Sequence, residues 1–144
     1  MRTKILMMVA LLVSTTAVGC NFATRNPPTS HDLVVSMDEV LKQHTITQNV
    51  TVGLNHTLKV TLGSNFTTPY RWTPEMKIGD STILKQTDHD FVRPSSGSIG
   101  AAGSEVWNFT ALKVGTTTVS TDYTSFVGKE STPACTYTAI VTVQ

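Results

Sequence analysis

Alternation with a period of two constrains this chain more than any other feature. In LNHTLKVTL, Leu54, His56, Leu58, Val60 and Leu62 fall on one face, and Asn55, Thr57, Lys59 and Thr61 on the other. Only an extended strand with one dry face separates residues in this way. The phase recurs in EVWNFTAL, where Trp107, Phe109 and Ala111 align, and in TTTVSTDY, with Val119, Thr121 and Tyr123. It returns in the last run, with Cys135, Tyr137, Ala139, Val141 and Val143. Threonine is abundant and Val, Ile, Phe and Tyr recur, the side chains that suit a pleated, half-buried surface.

Further strands are expected near Ile46 to Val52, at Tyr70 to Thr73 and near Ile83 to Lys85, which brings the count to about seven. That many short strands, punctuated by glycine and proline, predict an all-β chain: an antiparallel β-sandwich of immunoglobulin-like shape. Trp72, early in the third strand, is expected at the centre of the core. Ser36 to Gln43 is the one piece with helical character, because Ser36 and Glu39 stand at capping-box spacing. It is at most two turns long.

The first residues read as an address. Arg2 and Lys4 precede an unbroken apolar run from Ile5 to Val13, too short to span a bilayer, and small residues lead to Cys20. This predicts a signal peptide over residues 1–19. The ending AVGC resembles the bacterial lipobox, although Ala17 stands where Leu is usual and Val18 is bulky. The resemblance implies that Cys20 is lipidated and that the protein is an exported, membrane-anchored lipoprotein. Plain cleavage at the same place would give a periplasmic or secreted protein. Residues 20–32 then form the anchor cysteine and a flexible linker, polar and carrying Pro27 and Pro28, and residues 33–144 form one domain.

Without residues 1–19 the 11 basic residues lose Arg2 and Lys4, leaving 9 against 10 acidic ones. A near-neutral chain is poorly suited to nucleic acid or to a polybasic membrane contact. Cys135 reads as a small buried strand residue. His31, His44, His56 and His89 are scattered, and for His56, the one on a presumed inner face, a strand-end or satisfied core histidine is the better reading than a general base. Asp88, His89 and Asp90 are strand neighbours that point to opposite faces, so they make no metal site. Gly97, Gly100 and Gly103 lack the spacing of a phosphate-binding loop. No enzyme, cofactor or metal is expected. Asn49, Asn55, Asn65 and Asn108 each begin an N-x-T triplet, a chance product of so much threonine.

The segment GSNFTTPYRW, Gly63 to Trp72, carries more chemistry than a tight turn needs, and a surface loop gives Phe66 no packing motive of its own. Two further loops accompany it, GSIGAAGSE and YTSFVGKE. Their order and spacing resemble the chagasin family of cysteine-peptidase inhibitors, whose three loops carry N-P-T-T-G, G-x-G-G and R-P-W or R-P-F. The likeness runs from about Thr45 to Val143. The first motif stands here as Asn65, Phe66, Thr67, Thr68 and Pro69, followed by Tyr70 and by Trp72, where the family also has a tryptophan. The second stands as Gly100, Ala101, Ala102 and Gly103. In the third the Arg-Pro pair is missing and Ser125 precedes Phe126.

The resemblance implies a reversible inhibitor of papain-like cysteine peptidases, a monomer that blocks the catalytic cleft with three loops. Asn65 to Pro69 would wedge into the cleft, with Thr67 and Thr68 placing hydroxyls near the catalytic Cys and His and Phe66 filling a pocket. Gly100 to Gly103 would allow close backbone approach, and Ser125 and Phe126 would pack on the opposite wall. Phe66 in place of Pro, and Pro69 in place of Gly, require the first turn to be rebuilt without positive φ at its end. The alternative is a structural or adhesive immunoglobulin-like surface lipoprotein with no peptidase target, to which the missing Arg-Pro would be immaterial.

Overall fold

The computed structural model describes residues 29–128 and 132–144. The signal peptide, Cys20 and residues 21–28 lie outside the described residues. In chain order the elements are β1 (Ser30–Val35), α1 (Met37–Lys42), β2 (Thr45–Val52), β3 (Thr57–Ser64), β4 (Tyr70–Trp72), β5 (Lys77–Ile78), β6 (Leu84–Val92), β7 (Gly103–Ala111), β8 (Gly115–Ser125) and β9 (Cys135–Val143).

Two sheets form, one in the order β1-β3-β7-β6 and the other in the order β2-β9-β8-β4, with β5 also on β8. The alternating residues meet between them. Leu58, Val60 and Leu62 of β3 and Trp107, Phe109 and Ala111 of β7 are buried. So are Val119, Thr121 and Tyr123 of β8 and every second residue of β9 from Cys135 to Val143. Trp72 is buried in this core as expected, its indole N–H donating to the Gly63 carbonyl at 2.9 Å.

Several details depart from the sequence reading. Nine strands are described rather than about seven, because β1 and the two-residue β5 were not anticipated. β1 begins at Ser30, three residues inside the stretch read as linker. β6 continues to Val92 instead of stopping at Lys85, and a register shift between Gln86 and Asp88 breaks its alternation. A bulge of this kind sends successive residues out of phase, so the run QTDHD hides its strand character. The edge pairs β1–β3 and β2–β9 are parallel, whereas the other pairs are antiparallel. β1 climbs to one pole, α1 carries the chain across to the other sheet, and β2 descends, so each edge strand runs with its neighbour.

The alternation written through Leu54 and His56 also starts too early. Asn55 has φ 65° and residues 53–56 form a turn, so β3 begins at Thr57 and Leu54 is exposed. At the opposite pole α1 begins with both halves of the capping box: Glu39 N–H donates to Ser36 Oγ, and Ser36 N–H to Glu39 Oε2 at 2.8 Å. The helix lies on β3 at Gly63, where an added Cβ would run into the Met37 backbone.

Candidate functional site

β3, β6 and β8 all end at the pole that carries α1, and the three loops that follow them stand there together. The central one spans Asn65 to Pro69. Its turn closes through Thr68 N–H to the Asn65 carbonyl at 3.1 Å. The Asn65 side chain organises the loop, accepting from Thr67 N–H at 3.0 Å and from Thr67 Oγ1 at 2.7 Å through Oδ1. Thr68 Oγ1 donates to the Asn65 carbonyl at 2.8 Å. Both threonine hydroxyl protons are therefore spent inside the loop rather than held out for a partner. This is the turn-stabilising role in which Ser, Thr and Asn side chains replace backbone contacts.

Arg71, which sequence reasoning passed over, holds the loop from beneath. Its guanidinium donates to the carbonyls of Thr68 at 2.8 Å, Tyr70 at 2.6 Å and Phe66 at 3.0 Å, and reaches that of Asn65 at 3.4 Å. A planar fork of five donors can serve several carbonyls at once, which an ammonium on a flexible stem cannot do. No positive φ is needed, so Pro69 is accommodated; Asn55 is the sole non-glycine with positive φ among the described residues.

Phe66 does have packing partners of its own. Its ring stacks on Phe91 with centroids 3.5 Å apart and an interplanar angle of 12°, while the Arg71 guanidinium lies 3.8 Å from its centroid. It nevertheless keeps 40% of its surface exposed. Phe91 lies in the part of β6 that the bulge concealed, which is why it could not be paired with Phe66 from sequence.

The second loop spans residues 93–102. Ala101 N–H donates to the Ser98 carbonyl at 3.2 Å, and Gly100 in third place has φ 83°, the conformation a type II turn requires there. Ile99 at the corner is fully exposed, an apolar tip just outside the Gly100–Gly103 motif. Ala101 and Ala102 lack positive φ, so alanine in place of glycine brings no backbone strain. Gly103 is already in β7, where a Cβ would run into the Val92 carbonyl and the Phe91 ring. Its role is close approach within the fold. An open groove separates this loop from the first, lined by Phe66, Phe91, Arg93, Pro94, Ile99 and Ala101 among others.

The third loop begins at Ser125, whose Oγ donates to the Val127 carbonyl at 2.8 Å. It directs Phe126 and Val127 outward, 66% and 60% exposed. The loop has no arginine before Phe126, yet Arg71 brings a guanidinium to 5.3 Å from the Phe126 ring centroid.

Hydrogen bonds join the loops. Asn65 Nδ2 donates to the Gly100 carbonyl at 3.1 Å, and Phe126 N–H donates to the Pro69 carbonyl at 3.0 Å. Asn65 N–H also reaches the buried Tyr123 hydroxyl at 3.3 Å. The result is an edge on which the three loops meet, the first in the middle, with Phe66, Ile99, Phe126 and Val127 exposed along it. Such an edge suits insertion into a concave protein surface more than chemistry of its own.

The fold is similar to solved structures over most of the chain. The cysteine protease inhibitor EhICP2 from Entamoeba histolytica superposes with a TM-score of 0.60 at 21% identity, covering 82% of this chain and 100% of its own. PbICP-C, solved in complex with falcipain-2, gives 0.55 at 18% identity over 79% and 99% of the two chains. Amebosin gives 0.52 at 20% identity over 71% and 98%. No curated protein matches the chain in sequence. The model of chagasin family peptidase inhibitors I42 matches residues 51–141, a segment that begins in β2, ends in β9 and contains all three loops. With well over half of its length matched in this way, the chain belongs to the chagasin family of peptidase inhibitors.

Proposed function

We propose that this protein inhibits papain-like cysteine peptidases reversibly by laying its three-loop edge along the catalytic cleft. Asn65 to Pro69 enters the cleft, Gly100 to Gly103 with Ile99 lies against one wall, and Ser125 and Phe126 lie against the other. The cross-linking of the loops by Asn65, Pro69 and Arg71 carries this reading. A loop that must enter a protease without being cut benefits from being held in one shape, because ordering costs are then met before binding. Its conformation is fixed by the Asn65 and Arg71 networks and not by pairing with a partner strand. EhICP2 is a cysteine protease inhibitor, and PbICP-C was solved with falcipain-2, which supports a peptidase as the partner. Titrating papain with the chain lacking residues 1–19 should abolish turnover in a dose-dependent, dilution-reversible manner. Recovery of the chain cleaved between Asn65 and Pro69, without inhibition, would overturn the proposal.

The protein is further proposed to work outside the cytoplasm, with residues 1–19 as its signal peptide and Cys20 as a lipidated anchor. The support is the sequence pattern of a basic start, a short apolar run and AVGC. Labelled palmitate should be incorporated in a bacterial host and lost on Cys20→Ser. Label retained by the Cys20→Ser variant would exclude that anchor.

A further inference from the structure

We propose that Glu105 is the positioning residue of the central loop, a single buried carboxylate that clamps both of the loop's stems. The inference concerns the shape of the Asn65–Pro69 loop and depends on the inhibitory reading only for its consequence.

Glu105 shares the inward phase of Trp107 and Phe109 in β7 and is 2% exposed. A carboxylate at such a site persists only if its oxygens are fully supplied with donors. Oε1 accepts from Ser64 Oγ at 2.8 Å and from Trp72 N–H at 3.3 Å, and Oε2 lies 2.9 Å from His89 Nε2. Ser64 is the residue before Asn65, and Trp72 follows two residues after Tyr70. These two stems belong to different sheets, so no ladder of backbone bonds joins them as it would in a hairpin. Glu105 bridges the mouth of the sandwich directly under the loop.

His89 completes the clamp. A carboxylate only accepts, so Nε2 must carry a proton whether the ring is neutral or cationic. The ring is 4.8 Å from that of Trp107, and its side chain is 22% exposed. Around it, Asp88 and Asp90 are exposed neighbours on β6, and Lys85 and Glu75 share the shallow depression it lines. Glu105 is its direct partner.

Glu105→Gln separates positioning from packing by charge logic. The amide oxygen can replace Oε1 toward Ser64 and Trp72, and the amide NH2 can donate to His89, but only while Nε2 is unprotonated. Once the imidazole takes a second proton, two donors face each other and the contact breaks. In the purified protein carrying Cys20→Ser, the backbone amide signals of Asn65 to Arg71, except that of Pro69, should therefore hold their positions in wild type between pH 7.5 and pH 5. In Glu105→Gln they should shift and broaden reversibly over the same range, and adding His89→Gln should remove the pH dependence. Inhibition of papain by Glu105→Gln should weaken roughly tenfold between the same two pH values, beyond any change seen with wild type.

Loop signals in Glu105→Gln that match wild type at both pH values would overturn the proposal, as would changes of equal size at the far turn of Leu54. Should Glu105→Gln not fold, His89→Phe removes the donor at a partly exposed position. It must then loosen the loop amides while leaving those of residues 53–56 unchanged, or the proposal fails. If wild type does not inhibit papain, the inhibitory reading falls, but the loop signals still decide the role of Glu105.

Discussion

At the scale of single residues, the loop edge divides into residues that shape it and residues that touch a partner. Ile99 is wholly exposed, so Ile99→Ala should leave the melting temperature unchanged and weaken inhibition severalfold, as truncation of a small apolar anchor does. Phe66 belongs to both groups. Phe66→Ala removes its stack on Phe91 and the Arg71 contact, and should lower stability by about 1–2 kcal/mol. It should also weaken inhibition by about 2 kcal/mol, roughly thirtyfold. A drop in melting temperature with inhibition intact would make Phe66 a structural residue alone. Thr68 is a shaping residue, so Thr68→Ser, which keeps the hydroxyl on the Asn65 carbonyl, should inhibit like wild type while Thr68→Ala loses about 1 kcal/mol. Arg71→Lys should be nearly as damaging as Arg71→Ala, since one ammonium cannot replace a fork that serves four carbonyls. Titration against papain, paired with a thermal melt of each variant, checks all of these.

Among the elements, β9 makes the alkaline limit of stability predictable. Cys135 and Tyr137 both point into the core, and burial pushes the thiol and the phenol above their ordinary values. Unfolded, these groups lose their protons at lower pH than they do when folded. Their contribution is thus complete below the ordinary thiol range and drains away as pH rises through it and then through the phenol range. Denaturant midpoints should fall steadily above about pH 8.5, and Val in place of Cys135 should delay the onset. The strands that alternate cleanly, β3, β7, β8 and β9, were legible in sequence because one face of each is buried by the opposite sheet. β1 and most of β6 were not legible, since edge strands with a wet face, and in β6 a bulge, lose the period of two. The site was half legible for the same reason. Asn65 to Pro69, Gly100 and Phe126 stood out as motifs, whereas Phe91 was hidden beyond the bulge, and the reach of Arg71 back under the loop has no local signal. Glu105 did leave a trace, as a charged residue in phase with Trp107, Phe109 and Ala111.

For the molecule as a whole, the strand directions sort the chain ends from the loops. Ser30 pairs with Thr57, and the Gln144 carbonyl accepts from Leu54 N–H at 2.9 Å, so both ends of the described chain lie beside the 53–56 turn. The three loops occupy the other pole. A globular protein fused after Gln144 should therefore leave inhibition of papain within about twofold of the unfused chain, and a marked loss would show that the ends and the loops are not separated. Two copies joined tail to tail would face in opposite directions and could each engage one molecule of an enzyme displayed on a surface or in an oligomer. With a linker long enough for both, the second engagement becomes intramolecular, and the pair should dissociate far more slowly than either domain without a single new contact. The separation of poles thus makes this domain a unit that can be multiplied for avidity while its loop edge stays as it is.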